Sequence, residues 1–359
     1  MKIGIVWLPN VGKSTLFNAL TQSYAAQAEN FPFCTIEPNV GIVNVNDERL
    51  EKLQCTFQSG KVVPATVEFV DIAGLVAGAS KGEGLGNKFL SHIRQVDAVL
   101  EVVRDFEDDD IHHVSGSIDP RRDIEIINYE LILADLETIT QRLGDVTKKA
   151  RSWDKTAKES EEVLIRLREH LESGKLATSL PLTDTEKSLL SDLHLLTLKP
   201  FLYAVNVAED ALTSADDVFR TKLAVDAPIL PVSAKLEMDM LGFTPLERRE
   251  FLESLGITHN PMDRIIRTAY DLLGILFYFT AGETESRAWK IKKWSTAPEA
   301  AGVIHTDFQK KFIKAETAHW KDLVEFGGWN GAREKWKVRM EGKEYIVQDG
   351  DVMVFKFGA

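Results

Sequence analysis

The chain has 359 residues, of which 44% are hydrophobic and 27% are charged, as is ordinary for a soluble globular protein of two or three domains. The net charge of −12 argues against a protein that coats nucleic acid along its whole surface. No apolar run reaches the roughly 18 residues of a membrane span, and no targeting segment is recognisable, so we expect a cytoplasmic protein with no membrane partner. Its two cysteines, Cys34 and Cys55, are too few for a disulfide framework and lack metal-ligand spacing.

Short apolar runs alternate with helical stretches over much of the chain. Residues 3–6 form a predicted strand, and a predicted helix follows at residues 14–21. Later strand candidates, in chain order, are residues 67–70, 98–103, 201–205 and 229–232. Strands separated by helices predict an α/β fold with a mostly parallel sheet covered on both faces.

A helical hairpin is predicted between the third and fourth of these runs, over residues 129–195. Apolar residues recur there at spacings of three and four, namely Ile132, Leu136, Ile139, Leu143, Val146 and Ala150. A second helical stretch places Leu164, Leu167 and Leu171 on one face, with Gly174 as its stop. We interpret both stripes as the packing surface of two antiparallel helices.

The end of the chain has no long helical period and predicts a small, sheet-rich domain over residues 277–359. Its strand candidates are residues 277–280, 288–291, 337–340, 345–347 and 352–357. From Tyr278 onward there are 14 Lys+Arg against 12 Asp+Glu, so a localised contact with RNA is possible on an otherwise acidic protein, although an ordinary mixed surface gives the same count. We assign residues 1–128 and 196–276, which carry the strands of the predicted parallel sheet, to one discontinuous domain.

The strongest chemical signal is the sequence LPNVGKST at residues 8–15, directly after the first strand and before a helix. Backbone N–H groups at a helix N-terminus bind phosphates, and the helix dipole adds to the attraction. In this P-loop motif, Lys13 reaches the β- and γ-phosphates and Ser14 ligates Mg²⁺. Trp7 stands where the usual pattern opens with glycine. The predicted nucleotide-binding residues here are Asn10, Val11, Gly12, Lys13, Ser14 and Thr15.

A second motif, DIAG at residues 71–74, ends an apolar strand. Asp71 is positioned to hold the Mg²⁺ hydration shell, and the Gly74 N–H to sense a γ-phosphate, so the glycine-rich loop after it is a predicted switch. Thr35 lies where a first switch presents a hydroxyl to the metal. Leu75 occupies the place where many P-loop switches carry a water-orienting Gln, which predicts slow intrinsic hydrolysis.

A third motif concerns the base. Asn206, Val207 and Glu209 follow a strand where guanine-binding proteins carry Asn-Lys-x-Asp. The short Asp of that pattern pairs with guanine donors, and the replacement by Val207 and Glu209 puts guanine specificity in doubt. A second base-contact loop is predicted after the next strand, at Ser233, Ala234 and Lys235.

Long strings of the chain resemble the Obg-like ATPase (YchF) family of P-loop NTPases. They include PNVGKS at residues 9–14, FPFCTIEPN at 31–39, GEGLGNKF at 82–89, NVAE at 206–209, IHTDF at 304–308 and GKEYIVQDGD at 342–351. The resemblance implies a Ras-like P-loop domain with an inserted helical hairpin and a C-terminal TGS domain of β-grasp shape. It also implies ATP preferred over GTP, and binding to the ribosome or ribosomal RNA.

The resemblance extends to individual residues. It implies His113 as a catalytic residue beside Lys13, although His113 can equally be a solvated loop histidine. Asn10 is a candidate ligand for K⁺, as its counterpart is in some related P-loop proteins, or else a simple turn residue. The family pattern has glycine where this chain has Trp7, Trp294 and Trp336.

Three functions therefore remain open from the sequence. The leading one is a slow ATPase switch that acts on the ribosome, with Mg²⁺ held by Ser14, Thr35 and Asp71. The second is a GTPase of the same fold. The third is a non-hydrolysing RNA- or protein-binding adaptor, because Trp7 and Leu75 depart from an efficient site.

Overall fold

The computed structural model describes residues 1–25, 40–72, 85–107, 118–150, 155–214 and 216–358. Three predicted site residues, Thr35, Gly74 and His113, lie outside these ranges. By its internal contacts the chain forms two units, one of Met1–Val43 with Glu68–Ile265, the other of Asn44–Val67 with Ile266–Ala359. Among the described residues, none of the helices combines the length and the apolar character that a membrane span needs.

The strands are numbered in chain order: β1 Lys2–Trp7, β2 Val40–Asn44, β3 Lys61–Val63, β4 Thr66–Asp71, β5 Ala98–Asp105, β6 Phe201–Val207, β7 Ile229–Val232, β8 Ile275–Ala281, β9 Glu285–Lys292, β10 Phe312–His319, β11 Arg339–Glu341 and β12 Asp351–Phe357.

The helices are α1 Lys13–Ala25, α2 Glu48–Phe57, α3 Leu85–Arg94, α4 Pro120–Ala150, α5 Lys155–Glu172, α6 Asp184–Leu190, α7 Asp216–Leu223, α8 Ala234–Asp239, α9 Pro245–Ser254, α10 Pro261–Leu272, α11 Ala297–Ile304, α12 Thr306–Lys310, α13 Trp320–Glu325 and α14 Trp329–Glu334. Short 3-10 turns lie at Ala177–Ser179, Ser191–Leu193, Leu196–Leu198 and Glu209–Thr213.

The first unit is built on a six-stranded sheet in the order β2-β4-β1-β5-β6-β7. The pairs β1–β4, β1–β5, β5–β6 and β6–β7 are parallel, which confirms the predicted α/β fold. Every residue of β6 and of the edge strand β7 is buried, as expected for parallel strands that are covered on both faces. Because parallel strands share one carboxyl edge, the ends of β1, β4, β6 and β7 bring the predicted motifs to the same side of the sheet.

The predicted hairpin stripe forms a hydrophobic core between α4 and α5. Ile139 and Leu143 of α4 and Leu164 and Leu167 of α5 are buried in one cluster. The chain leaves α5 through Gly174, whose φ of +81° favours glycine. This packing explains why the stripe consists of apolar side chains.

The second unit has its own six-stranded sheet in the order β11-β10-β12-β8-β9-β3. Strand β3 pairs in parallel with β9, and the buried hydroxyl of Ser59 hydrogen-bonds to Ser286 at 2.8 Å. Residues 44–67, which the predicted boundaries assign to the discontinuous domain, are grouped with the second unit by their contacts. The division of the chain into three domains stays a prediction. The local sequence pattern could not reveal the pairing of β3 with β9, because the two strands lie far apart in the sequence.

Two predicted strands of this unit differ from the structure. Residues 345–347 form only an isolated bridge, between Ile346 and Thr296, and β11 is displaced toward Glu341. Strand β10 and the short helices α11 to α14 are absent from the sequence prediction. Helices of five to eight residues give too few turns for a helical period to be recognised.

Two tryptophans of the second unit have backbone conformations that favour glycine. Trp294 and Trp336 have φ of +74° and +59° and are 82% and 92% exposed. A bulky residue at positive φ carries strain of about 1–3 kcal/mol, and an exposed ring buries little surface to offset it.

We therefore expect Trp294→Gly and Trp336→Gly each to raise the free energy of unfolding by about 1 kcal/mol, since glycine removes the strain but gains freedom in the unfolded chain. Thermal melting of each variant tests this. Trp329→Gly, at the start of a helix, is the matched control and is expected to lower stability. Lower melting temperatures for both test variants would contradict the strain account.

Candidate nucleotide-binding site

The P-loop runs from the end of β1 to the start of α1. Asn10 and Gly12 have φ of +68° and +86°, and the Leu16 N–H donates to the Gly12 carbonyl at 3.0 Å as the helix begins. A Cβ at Gly12 would collide with the side-chain amide of Asn206, so glycine is required for close approach as well as for conformation. The first N–H groups of a thirteen-residue helix are left to bind an anion.

Asn206, at the end of β6, joins the P-loop to the predicted base loop. Its Nδ2 donates to the Val11 carbonyl at 2.9 Å, and its Oδ1 accepts from the Ala234 N–H at 3.0 Å. The side chain is 3% exposed, so both bonds lie in a low-dielectric environment. Ser233 caps α8 by accepting from the Leu236 N–H. The structure thus brings together predicted residues of three separate motifs.

Lys13 contacts both Asp71 and Trp7. Its Nζ lies 2.6 Å from Asp71 Oδ2 and 4.0 Å from the centroid of the Trp7 ring. The second carboxylate oxygen, Asp71 Oδ1, is buried and has no hydrogen-bond partner in the part of the chain that the structure describes. An orphaned carboxylate oxygen beside a phosphate-binding loop is a ligand that suits Mg²⁺ or its hydration shell.

The residues present fit a magnesium ion. The hydroxyl of Ser14 lies at the exposed start of α1, and Asp71 supplies an oxygen from the neighbouring strand end. Across the described ranges there is no group of three or more His, Cys, Asp or Glu that could hold a metal alone. Mg²⁺ keeps several waters and is usually bound through one or two protein oxygens together with substrate phosphates.

On the base side, Glu209 and Lys235 form an ion pair at 3.9 Å between exposed side chains, Glu209 being 43% and Lys235 81% exposed. Glu209 opens a 3-10 turn directly after β6, where its carboxylate can accept from an exocyclic amino group. Val207 is only 3% exposed. Its side chain therefore belongs to the core of the sheet, whereas the side chains of Glu209 and Lys235 are exposed.

Arg104 was not predicted as a site residue. It is 1% exposed at the end of β5, where its Nε donates to the Phe106 carbonyl at 3.0 Å and its Nη1 to the Asn10 carbonyl at 3.5 Å. A guanidinium below the P-loop stabilises the turn at Asn10. In the sequence, Arg104 is one of three charged residues on β5, with Glu101 and Asp105, and no motif distinguishes it from them.

Trp7 ends β1 in extended conformation, so its backbone does not require glycine. The residue is 8% exposed, and its ring lies beside Lys13. A cation–π contact of about 0.5–2 kcal/mol holds the ammonium beside Asp71. We expect Trp7→Leu, which removes the aromatic face, to tighten binding of magnesium ATP up to about tenfold.

Trp7→Phe is the control and should bind as the unchanged chain does, since it keeps a ring. Trp7→Gly is less suitable, because the cavity left by a buried indole costs about 3–5 kcal/mol. Calorimetric titration provides the affinities, and intact mass establishes residue 7 in each sample. Equal affinities for the Leu and Phe variants would show that the ring does not restrain Lys13.

Two family models match the chain. Residues 2–138 match MMR_HSR1, described as a 50S ribosome-binding GTPase. Residues 275–358 match YchF-GTPase_C, described as a protein of unknown function (DUF933). Together with the fold and the Lys13–Asp71 site, these matches define the chain as a P-loop nucleoside triphosphatase.

Similar proteins match over nearly the whole chain. The Ribosome-binding ATPase YchF of Bacillus subtilis (strain 168) is 53% identical over 99% of this chain and 98% of its own length. The protein of the same name from Escherichia coli O157:H7 is 49% identical over 99% of each. A solved structure of the Schizosaccharomyces pombe YchF GTPase has a TM-score of 0.89 at 38% identity and covers 99% of this chain and 97% of its own. The chain belongs to the YchF family.

Proposed function

We propose that this protein is a slow ATPase switch that prefers ATP to GTP. The observation that carries the proposal is the pair of Lys13 with Asp71, placed at the N-terminus of α1 and joined through Asn206 to the loop of Ala234. Its relatives from Bacillus subtilis and Escherichia coli are named ribosome-binding ATPases. Phosphate release from ATP by the purified chain tests the proposal, and no turnover above buffer would favour an adaptor.

In this proposal each residue has one task. Lys13 contacts the β- and γ-phosphates, and backbone N–H groups of residues 11–15 bind the phosphate chain. Ser14, Asp71 and Thr35 hold Mg²⁺, which supplies neutralisation of phosphate charge when bound. Asn10 is a candidate ligand for K⁺. The Gly74 N–H senses the γ-phosphate, and His113 orients the attacking water in place of the missing Gln.

A GTPase of the same fold is the second candidate, favoured by the description of the model that matches residues 2–138. Base preference decides between the two. The carboxylate of Glu209 lies one methylene further from its backbone than the Asp of guanine-binding proteins, and Lys235 pairs with it. A longer carboxylate is less well placed to accept from the two adjacent donors of guanine, which supports a preference for adenine.

We expect Glu209→Asp to reduce the preference for ATP over GTP by about tenfold, which corresponds to about 1.4 kcal/mol. Competition calorimetry with ATP and GTP measures the ratio. Asp210→Asn, which changes an exposed carboxylate next in sequence, is the control and should leave the ratio unchanged. Tighter binding of GTP than of ATP by the unchanged chain would support the GTPase instead.

We also propose that the second unit contacts ribosomal RNA, and that the protein works where ribosomes are, in the cytoplasm. Exposed lysines of this unit include Lys292 and Lys335, on a segment with more basic than acidic residues. Phosphate contacts by such side chains make binding dependent on salt. Co-sedimentation with ribosomes at increasing salt tests this proposal.

A pair of charge variants localises the contact. Lys292→Glu with Lys335→Glu should reduce co-sedimentation, whereas Lys175→Glu, an exposed lysine after α5, should not. Loss only in the Lys175 variant would place the contact on the helical hairpin, contrary to the proposal.

A further inference from the structure

Lys199 binds the end of helix α3. Its Nζ donates to the carbonyl of Val96 at 2.6 Å and to the carbonyl of Arg94 at 3.1 Å. The last carbonyls of a helix have no partner within the helix, and a lysine that binds them also interacts favourably with the helix dipole. Lys199 therefore fixes the C-terminal end of α3 from a segment more than a hundred residues later in the chain.

The segment that carries Lys199 is itself held by α4. The carboxylate of Asp135, which is 1% exposed, accepts from the Leu196 N–H at 2.9 Å, the Thr197 N–H at 2.8 Å and the Thr197 hydroxyl at 2.6 Å. These bonds set the 3-10 turn Leu196–Leu198 immediately before Lys199. A buried carboxylate with three donors permits one geometry only, because any lost bond leaves an uncompensated group in the core.

The electrostatics agree with this arrangement. Burial lowers the pKa of Lys199, and the carboxylates of Asp97 and Asp135 oppose that shift. Burial raises the pKa of Asp135, and its bonds from Thr197 and Leu196 oppose the rise.

The end of α3 is also attached to the strand that enters the P-loop. The Asp97 N–H donates to the Lys2 carbonyl at 2.8 Å, and the Lys2 N–H donates to the Asp97 carboxylate at 2.8 Å. Strand β1 then leads from Lys2 to the P-loop, and β5, which begins at Ala98, pairs with it. At its other end α3 follows Asp71 in sequence through residues 72–84.

We propose that Lys199 is a positioning residue for the nucleotide site, which couples the α4–α5 hairpin to α3 through Asp135. A partner that shifts α4 would move the 3-10 turn, and with it the anchor of the helix that follows Asp71. Since such coupling is reciprocal, nucleotide binding would change the affinity of the hairpin for that partner by the same factor. The inference rests on the proposed nucleotide binding at Lys13 and Asp71.

The test compares three lysine variants of the full chain. Lys199→Met keeps the length of the side chain but removes the donor, and Lys199→Arg restores a cationic donor. Lys290→Met is the matched control, because Lys290 is similarly half-buried and donates to a backbone carbonyl, that of Thr66, at 2.9 Å within the second unit. We expect Lys199→Met to change ATP affinity about fivefold or more, and the other two to leave it within twofold.

Hydrogen exchange separates this inference from the proposed function. Amides of α3 should exchange faster in Lys199→Met than in Lys290→Met, whether or not ATP is present. If the unchanged chain fails to bind ATP, the proposed function is wrong. Equal α3 exchange in the two variants would overturn the inference, whether or not the unchanged chain binds ATP. A Lys199→Met variant that only melts earlier, with unchanged ATP affinity and α3 exchange, would show that Lys199 is merely structural.

Discussion

Replacing Lys13 by Ala is expected to lower ATP turnover about a hundredfold or more and to weaken ATP binding. The ammonium is the one described side-chain cation within hydrogen-bond distance of Asp71, at 2.6 Å, and it stands at the N-terminus of α1 where the phosphates are proposed to bind. Charge that develops on the transferred phosphoryl group would lose its nearest stabilising cation. Phosphate release at saturating ATP, together with calorimetry, measures the two effects separately.

Lys13→Arg is the matched control for this experiment. It keeps the positive charge and the pair with Asp71 but places a planar guanidinium where a compact ammonium stood. We expect it to fold as the unchanged chain does while turnover stays low. Thermal melting of both variants tests whether unfolding causes the loss of turnover. Unchanged turnover in Lys13→Ala would show that this P-loop takes no part in ATP hydrolysis.

Replacing Glu101 by Gln is expected to change the pH dependence of stability. Glu101 lies on β5 with no exposed surface, and neither carboxylate oxygen has a hydrogen-bond partner among the described residues. Burial raises the pKa of this carboxyl well above its ordinary value of 4.5, and the nearby Asp123 raises it further. Burial is also the main cause of the raised pKa of the neighbouring Tyr203 hydroxyl, with Glu101 adding to it.

The sign follows from the direction of the shift. A carboxyl that holds its proton more tightly in the folded state contributes its full stability below the unfolded pKa near 4.5, and loses it as the pH rises toward the folded pKa. Gln is neutral throughout, so Glu101→Gln should unfold with a free energy higher by more than about 1 kcal/mol at pH 8 and show a smaller difference at pH 5.

Urea unfolding at pH 5 and pH 8 measures this change. Glu125→Gln is the control, because Glu125 has an exposed side chain on α4 and pairs only with Arg121 at the surface among its described contacts. Its removal should leave the pH slope unaltered. Equal slopes for the Glu101 variant and the unchanged chain would mean that Glu101 is not held neutral in the core.

The elements that the sequence predicted well are those set by local pattern. Residues 8–15 identify a phosphate loop because the consecutive residues Gly12, Lys13 and Ser14 supply the groups that bind phosphate and Mg²⁺. The stripe that contains Ile139 and Leu143 predicted α4 because one face of a long helix must be apolar to pack. In both cases the physical requirement lies within a few turns of the chain.

The features that the sequence did not reveal depend on distant partners. Strand β3 has three residues, and only its pairing with β9 makes it a strand. In the sequence, Asp135 is one of many charged residues on a helix, and its role becomes clear only from the hydrogen bond that it accepts from Thr197. Arg104 likewise becomes interpretable only when the Asn10 carbonyl lies beside it. Side-chain contacts between segments far apart in sequence leave no period or motif to read.

The most direct test of the proposed ATP switch is calorimetric titration of ATP and of GTP into the unchanged full-length chain, with Mg²⁺ and K⁺ present. The Lys13–Asp71 site and the longer carboxylate of Glu209 predict saturable binding of ATP at one site per chain, tighter than that of GTP. Tighter binding of GTP, or no binding of either nucleotide, would contradict the account.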